Sequence, residues 1–156
     1  MLTLKKAEIS DKNDLWNMLQ NYLKEMSAYY DMDIDENGDY KYDYFNNYFT
    51  EKERIAVFIR DNKTTVGFVF INNYSCLGET IDYAVAEFTV FPKYRKNHCG
   101  LTAANLLFNT YRGKWELKFS NSNTAAKSFW IKATKEFSPR ASLYEKTETV
   151  LSFTTN

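Results

Sequence analysis

The chain has 156 residues, a length that suits one domain. Lys+Arg and Asp+Glu both number 20, so the formal net charge is zero, which argues against a protein that binds nucleic acid by neutralising phosphates. A hydrophobic fraction of 44% beside 26% charge is an ordinary globular mixture and argues against a disordered chain, and 5 Gly with 2 Pro exclude a collagen-like or linker-dominated chain.

Residues 2–9 alternate in polarity and predict a first strand. Ser10 or Asp11 is a good N-cap. Leu15, Trp16, Leu19, Tyr22, Leu23 and Met26 follow at helical spacing, so an amphipathic helix is expected over 11–28. Residues 31–39, DMDIDENGD, form an acidic loop. Tyr40 to Thr50, rich in Tyr and Phe, is expected as a second helix against its β-propensity. Residues 54–60 and 64–73 flank an Asp61-Asn62-Lys63 turn and predict a hairpin. Ile81–Phe91 is a further long strand. Strict alternation puts Ala84, Ala86, Phe88 and Val90 on one face, with Tyr83, Val85, Glu87 and Thr89 on the other.

Pro92 stops that strand, since it has no N–H for the ladder. A basic loop runs from Lys93 to Gly100. Leu101, Ala104, Leu107, Phe108 and Tyr111 predict a third helix, closed by Gly113 in C-cap position. Trp115–Phe119 is a short strand, and a fourth helix is expected over 124–136. Ala141 to Thr154 alternates enough for one or two strands. The order is β-α-α-β-β-β-α-β-α-β-β. It implies a single α/β (α+β) domain over 1–156, with helices on both faces of one sheet.

Aromatic residues make up 17% of the chain, enough to stabilise a small core well. Two cysteines do not make a disulfide scaffold and suit a reducing cytosol. The N-terminus shows no apolar export region, and no apolar run approaches the ~20 residues of a spanning helix. A cytoplasmic protein without membrane attachment is the expectation. No Cys/His cluster has metal spacing, and no Walker, G-x-S-x-G or G-x-G-x-x-G motif occurs.

The chemistry concentrates between Ala84 and Trp130. A loop that enters a helix leaves backbone N–H groups unpaired, and the helix dipole adds partial positive charge. Such an end binds phosphate. Lys93, Arg95 and Lys96 add local positive charge in an otherwise neutral chain.

Residues 88–108, FTVFPKYRKNHCGLTAANLLF, resemble the acetyl-coenzyme A signature of the GNAT N-acetyltransferase superfamily. Val90, Pro92, Tyr94 and Arg95 fit its V-x-P-x-Y/W-R step. Arg95 to Gly100 fits the following R/Q-x-x-G-x-G/A, with His98 in the first Gly position and Gly100 in the second. Asn123, Ala126, Phe129 and Trp130 fit the family's later N-x-x-A-x-x-F-W segment.

The resemblance implies a three-layer fold: a mixed, mostly antiparallel sheet of six to seven strands flanked by four helices. It implies two neighbouring strands, 82–91 and 115–119, that start paired and then splay. The pantetheine arm of acetyl-CoA would lie between them, on the backbone of Phe88, Thr89 and Val90. The pyrophosphate would sit on amides of Lys96, Asn97, His98, Cys99, Gly100, Leu101 and Thr102, beside Arg95. Asn123 and Ala126 would meet the arm, and Trp130 or Phe129 would wall the thioester end. The implied activity is direct transfer of an acetyl group to a primary amine, with no metal.

Glu87 is the candidate general base, since a carboxylate mid-strand is costly to bury without purpose. The other reading is a Glu on a half-exposed face, paired with Arg or Lys. The family's usual acid, a Tyr, is replaced here by Trp130, which leaves Tyr94, Tyr83 or Tyr144 as substitutes. Histidine is the residue type that suits proton transfer near neutral pH, which makes His98, the only one, a catalytic candidate, but its place in the loop points its side chain toward solvent or nucleotide. A Gly there would permit positive φ, so His98 either tolerates strain or changes the loop. Cys99 is a reactive thiol at a helix N-terminus or a small residue packed under the loop.

The acceptor that the resemblance implies is a small-molecule or peptide amine. The acidic 31–43 segment and its tyrosines would attract a cationic one, or else form a solvated loop over packed tyrosines. Exposed aromatics and a C-terminal strand suit a homodimer. Two other functions fit the same residues: a binding or regulatory module without turnover, and transfer of a different acyl group.

Overall fold

The computed structural model describes residues 1–156. Seven strands form one sheet: β1 (Leu2–Lys6), β2 (Ile55–Asp61), β3 (Thr64–Asn72), β4 (Tyr83–Val90), β5 (Gly113–Ser120), β6 (Arg140–Tyr144) and β7 (Glu148–Thr155). Three α-helices flank it: α1 (Lys12–Met26), α2 (Cys99–Thr110) and α3 (Thr124–Thr134). The sheet order is β1-β2-β3-β4-β5-β7-β6. Every pairing is antiparallel except β4 with β5. No helix is long and apolar enough to cross a membrane.

The apolar stripe of α1 places Leu15, Leu19 and Leu23 on one face of the sheet, against Phe58, Phe68 and Phe70. Leu15 and Leu19 are fully buried, and each contributes about 1.5–3 kcal/mol by leaving water. The opposite face is covered by α2 and α3. There Ala103, Ala104, Leu107, Phe108 and Trp130 pack with Trp115, Leu117 and Phe153. The three-layer expectation is therefore met.

Three local expectations are corrected. The helix expected over 40–50 is absent; only a 3-10 turn, Asn46–Phe49, forms there. Aromatic residues and Asn are poor helix formers, and Phe45 and Tyr48 instead bury their rings against Phe70 as irregular plugs. α1 is entered through a 3-10 turn, Ile9–Asp11, and the Asp11 carboxylate accepts the Glu8 N–H at 2.9 Å rather than capping α1 itself. Gly113 opens β5 instead of capping α2. Its φ is +154°, and a Cβ there would fall 2.5 Å from Asp82 Oδ2, the atom that accepts the Lys114 N–H at 2.8 Å.

The correction with most consequence lies in β4. Phe70 pairs with Glu87 but Ile71 pairs with Val85, so Ala86 is an extra residue, a β-bulge. The bulge breaks the expected alternation. Tyr83, Val85, Phe88 and Val90 all face the α2–α3 side, whereas Ala86 packs with the α1 side. Glu87 follows Ala86 onto that side, where Tyr42 meets it.

Candidate active site

β4 and β5 pair over only three positions: Tyr83 with Trp115, Ala84 with Glu116 and Val85 with Leu117. Beyond them β4 runs on to Val90 and β5 to Ser120 with no pairing between the two. The parted strands open a cleft of about 970 Å³ through the sheet, walled by α1, α3 and the start of α2. The bulge at Ala86 falls where the strands separate.

Parity shows which β4 groups face the gap. The Phe91 N–H donates to the Val66 carbonyl on β3. Residues alternate sides along a strand, so Thr89 also faces β3, while Phe88 and Val90 present their backbone groups to the gap. The Val90 carbonyl accepts from Arg95 Nε at 2.7 Å. The N–H groups of Phe88 and Val90 point at the space between the strands.

At the α2 end the backbone turns through two consecutive left-handed residues, Asn97 (φ 63°) and His98 (φ 59°). His98 thus adopts the conformation a Gly would favour, at about 1–2 kcal/mol of strain. No N–H from Lys96 to Leu101 makes a well-aligned hydrogen bond within the chain; the first that does is Thr102, to the His98 carbonyl at 3.0 Å. Six successive donors at the positive end of a helix are an anion cradle. Gly100 matters here for packing. A Cβ would lie 2.9 Å from Phe129 Cε1, so its absence lets the α3 ring close on the start of α2.

Arg95 lines the cleft, but its guanidinium is committed to protein: bidentate to Glu25 of α1 at 2.8 and 2.7 Å, and to the Val90 carbonyl. Its role is to tie the loop to α1. Asn97, His98, Gly100 and Leu101 line the cleft, whereas the Lys96, Cys99 and Thr102 side chains do not. Cys99 packs against the α2–α3 core, and burial pushes its thiol pKa up, so the helix N-terminus does not activate it. Asn123 caps α3, its Oδ1 accepting the Ala126 N–H at 3.1 Å, and both residues line the cleft. Trp130 packs edge-on against Phe88 with centroids 5.0 Å apart and closes the apolar wall.

Glu87 stands where the strands part, half-buried on the cleft wall. The Tyr42 hydroxyl donates to its Oε2 at 2.7 Å. Burial raises its pKa to about 7; hydrogen bonds from Tyr42 and Tyr22, and the charge of Lys118, act in the opposite direction. Such a carboxyl can both take and return a proton near neutrality.

The three phenols considered as acids, Tyr83, Tyr94 and Tyr144, all lie outside the cleft. Tyr83 is packed on Trp115 and Tyr111, and Tyr94 on the α2–α3 core under Lys93. The phenols that reach the site are Tyr22, Tyr29, Tyr30 and Tyr74 along the cleft, with Tyr42 behind Glu87. Sequence reading missed Tyr22 and Tyr42 as Glu87 partners, since 65 and 45 residues separate them in the chain. Tyr22 occupies an ordinary core position of α1, and nothing in the sequence distinguishes it. The carboxylates of the 31–43 segment also stay out of the cleft. Asp35 accepts from the Asn37 and Asp39 N–H groups, and Asp39 from Trp16 Nε1.

No family model matches the sequence, and no curated protein matches it by sequence. Solved structures do match, over nearly the whole chain. An acetyltransferase from Thermus thermophilus superposes with a TM-score of 0.71 at 15% identity, covering 99% of this chain and 97% of its own. A spermidine N-acetyltransferase from Vibrio cholerae, in complex with CoA and spermine, gives 0.69 at 15% identity, with 99% and 95% covered. An aminoglycoside acetyltransferase in complex with coenzyme A and kanamycin gives 0.70 at 13%, again with 99% and 95% covered. A sheet whose only parallel pair splits around a cleft, in a chain of this element order, is the fold of the GNAT acetyltransferases.

Proposed function

We propose that this protein is an acetyl-CoA-dependent N-acetyltransferase acting on a primary amine. The observation that carries the reading is the parted β4–β5 pair, with six free amides at one end and Glu87 at the point of separation. Neighbours of the same fold hold coenzyme A together with spermine or kanamycin, which supports an amine acceptor.

In this reading the amides from Lys96 to Leu101 hold the pyrophosphate of acetyl-CoA. The Phe88 and Val90 backbone binds the pantetheine arm, and one of its two gap-facing N–H groups donates instead to the carbonyl oxygen as negative charge develops on it. Ala126 and Trp130 pack along the arm. The amine attacks the acetyl carbonyl, the C–N bond forms and the C–S bond breaks. A free alkylamine is protonated at neutral pH, with a pKa of about 10.4 for a Lys-like group, so it must lose a proton before or during attack. Glu87 receives that proton, directly or through water. Trp130 carries no titratable hydroxyl, and the thiolate takes its proton from solvent at the open mouth.

Calorimetry with acetyl-CoA, followed by a thiol-release assay across a panel of amines, tests this reading. Binding with turnover of at least one amine is expected. Absence of acetyl-CoA binding refutes the cofactor site; binding without turnover of any amine refutes the enzyme.

A further inference from the structure

The acceptor end of the cleft permits a statement about substrate class, resting on the acetyltransferase reading above. Four glutamates reach this cavity or its edge, and each already has protein donors. Glu25 is held by Arg95. Glu116, 2% exposed, accepts from Ser75 Oγ and the Cys76 N–H, both at 2.6 Å. Glu148, 7% exposed, accepts from the Tyr30 hydroxyl at 2.9 Å and faces Lys118 Nζ at 3.3 Å. Glu87 is bonded to Tyr42. None of the four is left without a protein donor: Glu25 and Glu148 face the cations of Arg95 and Lys118, and Glu116 is closed off from solvent, so no free carboxylate is offered to a second ammonium group.

The surface without internal partners is of another kind. Tyr29 and Tyr74 are 37% and 72% exposed, and they line the cleft with Met26, Met32 and the Tyr30 ring. Aromatic faces and thioethers favour flat apolar groups, and they tolerate one cation over a ring. We infer that the acceptor is a primary amine carried on an aromatic or apolar body, with a single positive charge, and not a polycation. Its body lies against Tyr29, Tyr74, Met26 and Met32, and its nitrogen is directed at Glu87.

Titration of tyramine and of spermidine into the CoA-loaded protein tests this without requiring turnover. Tyramine is expected to bind at least tenfold more tightly, with an affinity that changes less than twofold between low and high salt. Equal or tighter binding of spermidine, or no binding of tyramine, overturns the inference. In Lys118→Met, Glu148 loses its cation, and spermidine affinity is expected to rise at least threefold; no rise contradicts the charge matching. If that variant does not fold, the salt series on the unaltered chain decides. Loss of CoA binding itself would be seen in the loading step and would instead remove the acetyltransferase reading.

Discussion

At its α2 end the cleft offers backbone. Six consecutive N–H groups, from Lys96 to Leu101, face outward because a helix starts there and the preceding loop turns through two left-handed residues. At its other end the cleft offers side chains gathered from distant segments. Glu87 comes from β4, Tyr22 from α1, Tyr42 from an irregular loop, and Glu148 with Lys118 from β7 and β5. The first end depends on local geometry and tolerates changes of side chain, which is why His98 can stand where a Gly would serve. The second depends on convergence, and single substitutions there change chemistry.

Glu87→Gln should separate the two ends most strongly. Turnover is expected to fall by about 10²–10⁴-fold, the usual contribution of a general base, while acetyl-CoA affinity in calorimetry stays within threefold. The same variant carries a stability signature. The folded chain prefers protonated Glu87, with its pKa raised to about 7 by burial. The unaltered protein therefore loses stability as pH climbs from the unfolded carboxyl range through 7, and Gln loses none. Urea midpoints should coincide near pH 4 and diverge by pH 8, the variant being the more stable by up to about 3 kcal/mol. Equal midpoints at pH 8 would mean Glu87 is not desolvated.

Gly100→Glu attacks the other end. It pushes a Cβ toward Phe129 and sets a carboxylate beside the amides. Acetyl-CoA affinity is expected to fall at least tenfold, with the chain still folded by circular dichroism.

Tyr42→Phe removes one of the hydrogen bonds that lower the Glu87 pKa. The ascending limb of the rate–pH profile should move to higher pH, with turnover recovered as pH is raised and acetyl-CoA affinity unchanged. An unmoved limb would detach Tyr42 from the base. The smallest effect is expected from His98→Gly, which relieves left-handed strain and should stabilise the fold by about 0.5–1 kcal/mol in urea titration. A loss of stability there would mean that the His98 side chain makes up for its own strain.

Legibility in the sequence follows the same division. Val90, Pro92, Arg95 and Gly100 mark a strand, its stop, a loop and a helix start within eleven residues, and local rules suffice to read them. The paired length of β4 and β5 is not local, nor is the bulge at Ala86. Strict alternation put Phe88 with Ala86 and Glu87 with Tyr83; the extra residue moved Phe88 onto the α2–α3 face and kept Glu87 beside Ala86. The segment 40–50 misled for a related reason. Its aromatic spacing resembles a helix, but the rings are drawn individually into gaps over Phe70. The acidic 31–43 stretch suggested either a cationic acceptor or a solvated loop; Asp35 closes its own turn, Asp39 holds Trp16, and Met32 is the residue of 31–43 that lines the cleft.

The amino-acid order by itself determined the succession of strands and helices outside 40–50, the two-sided core and the unpaired amides at the start of α2. Each of these follows from the period of apolar residues or from backbone groups within a few positions of one another. Only the tertiary structure decided which phenols hold Glu87, which carboxylates are already matched and how far two strands stay paired. Those properties are contacts between segments tens of residues apart, and their energies depend on distance and burial that no local pattern encodes.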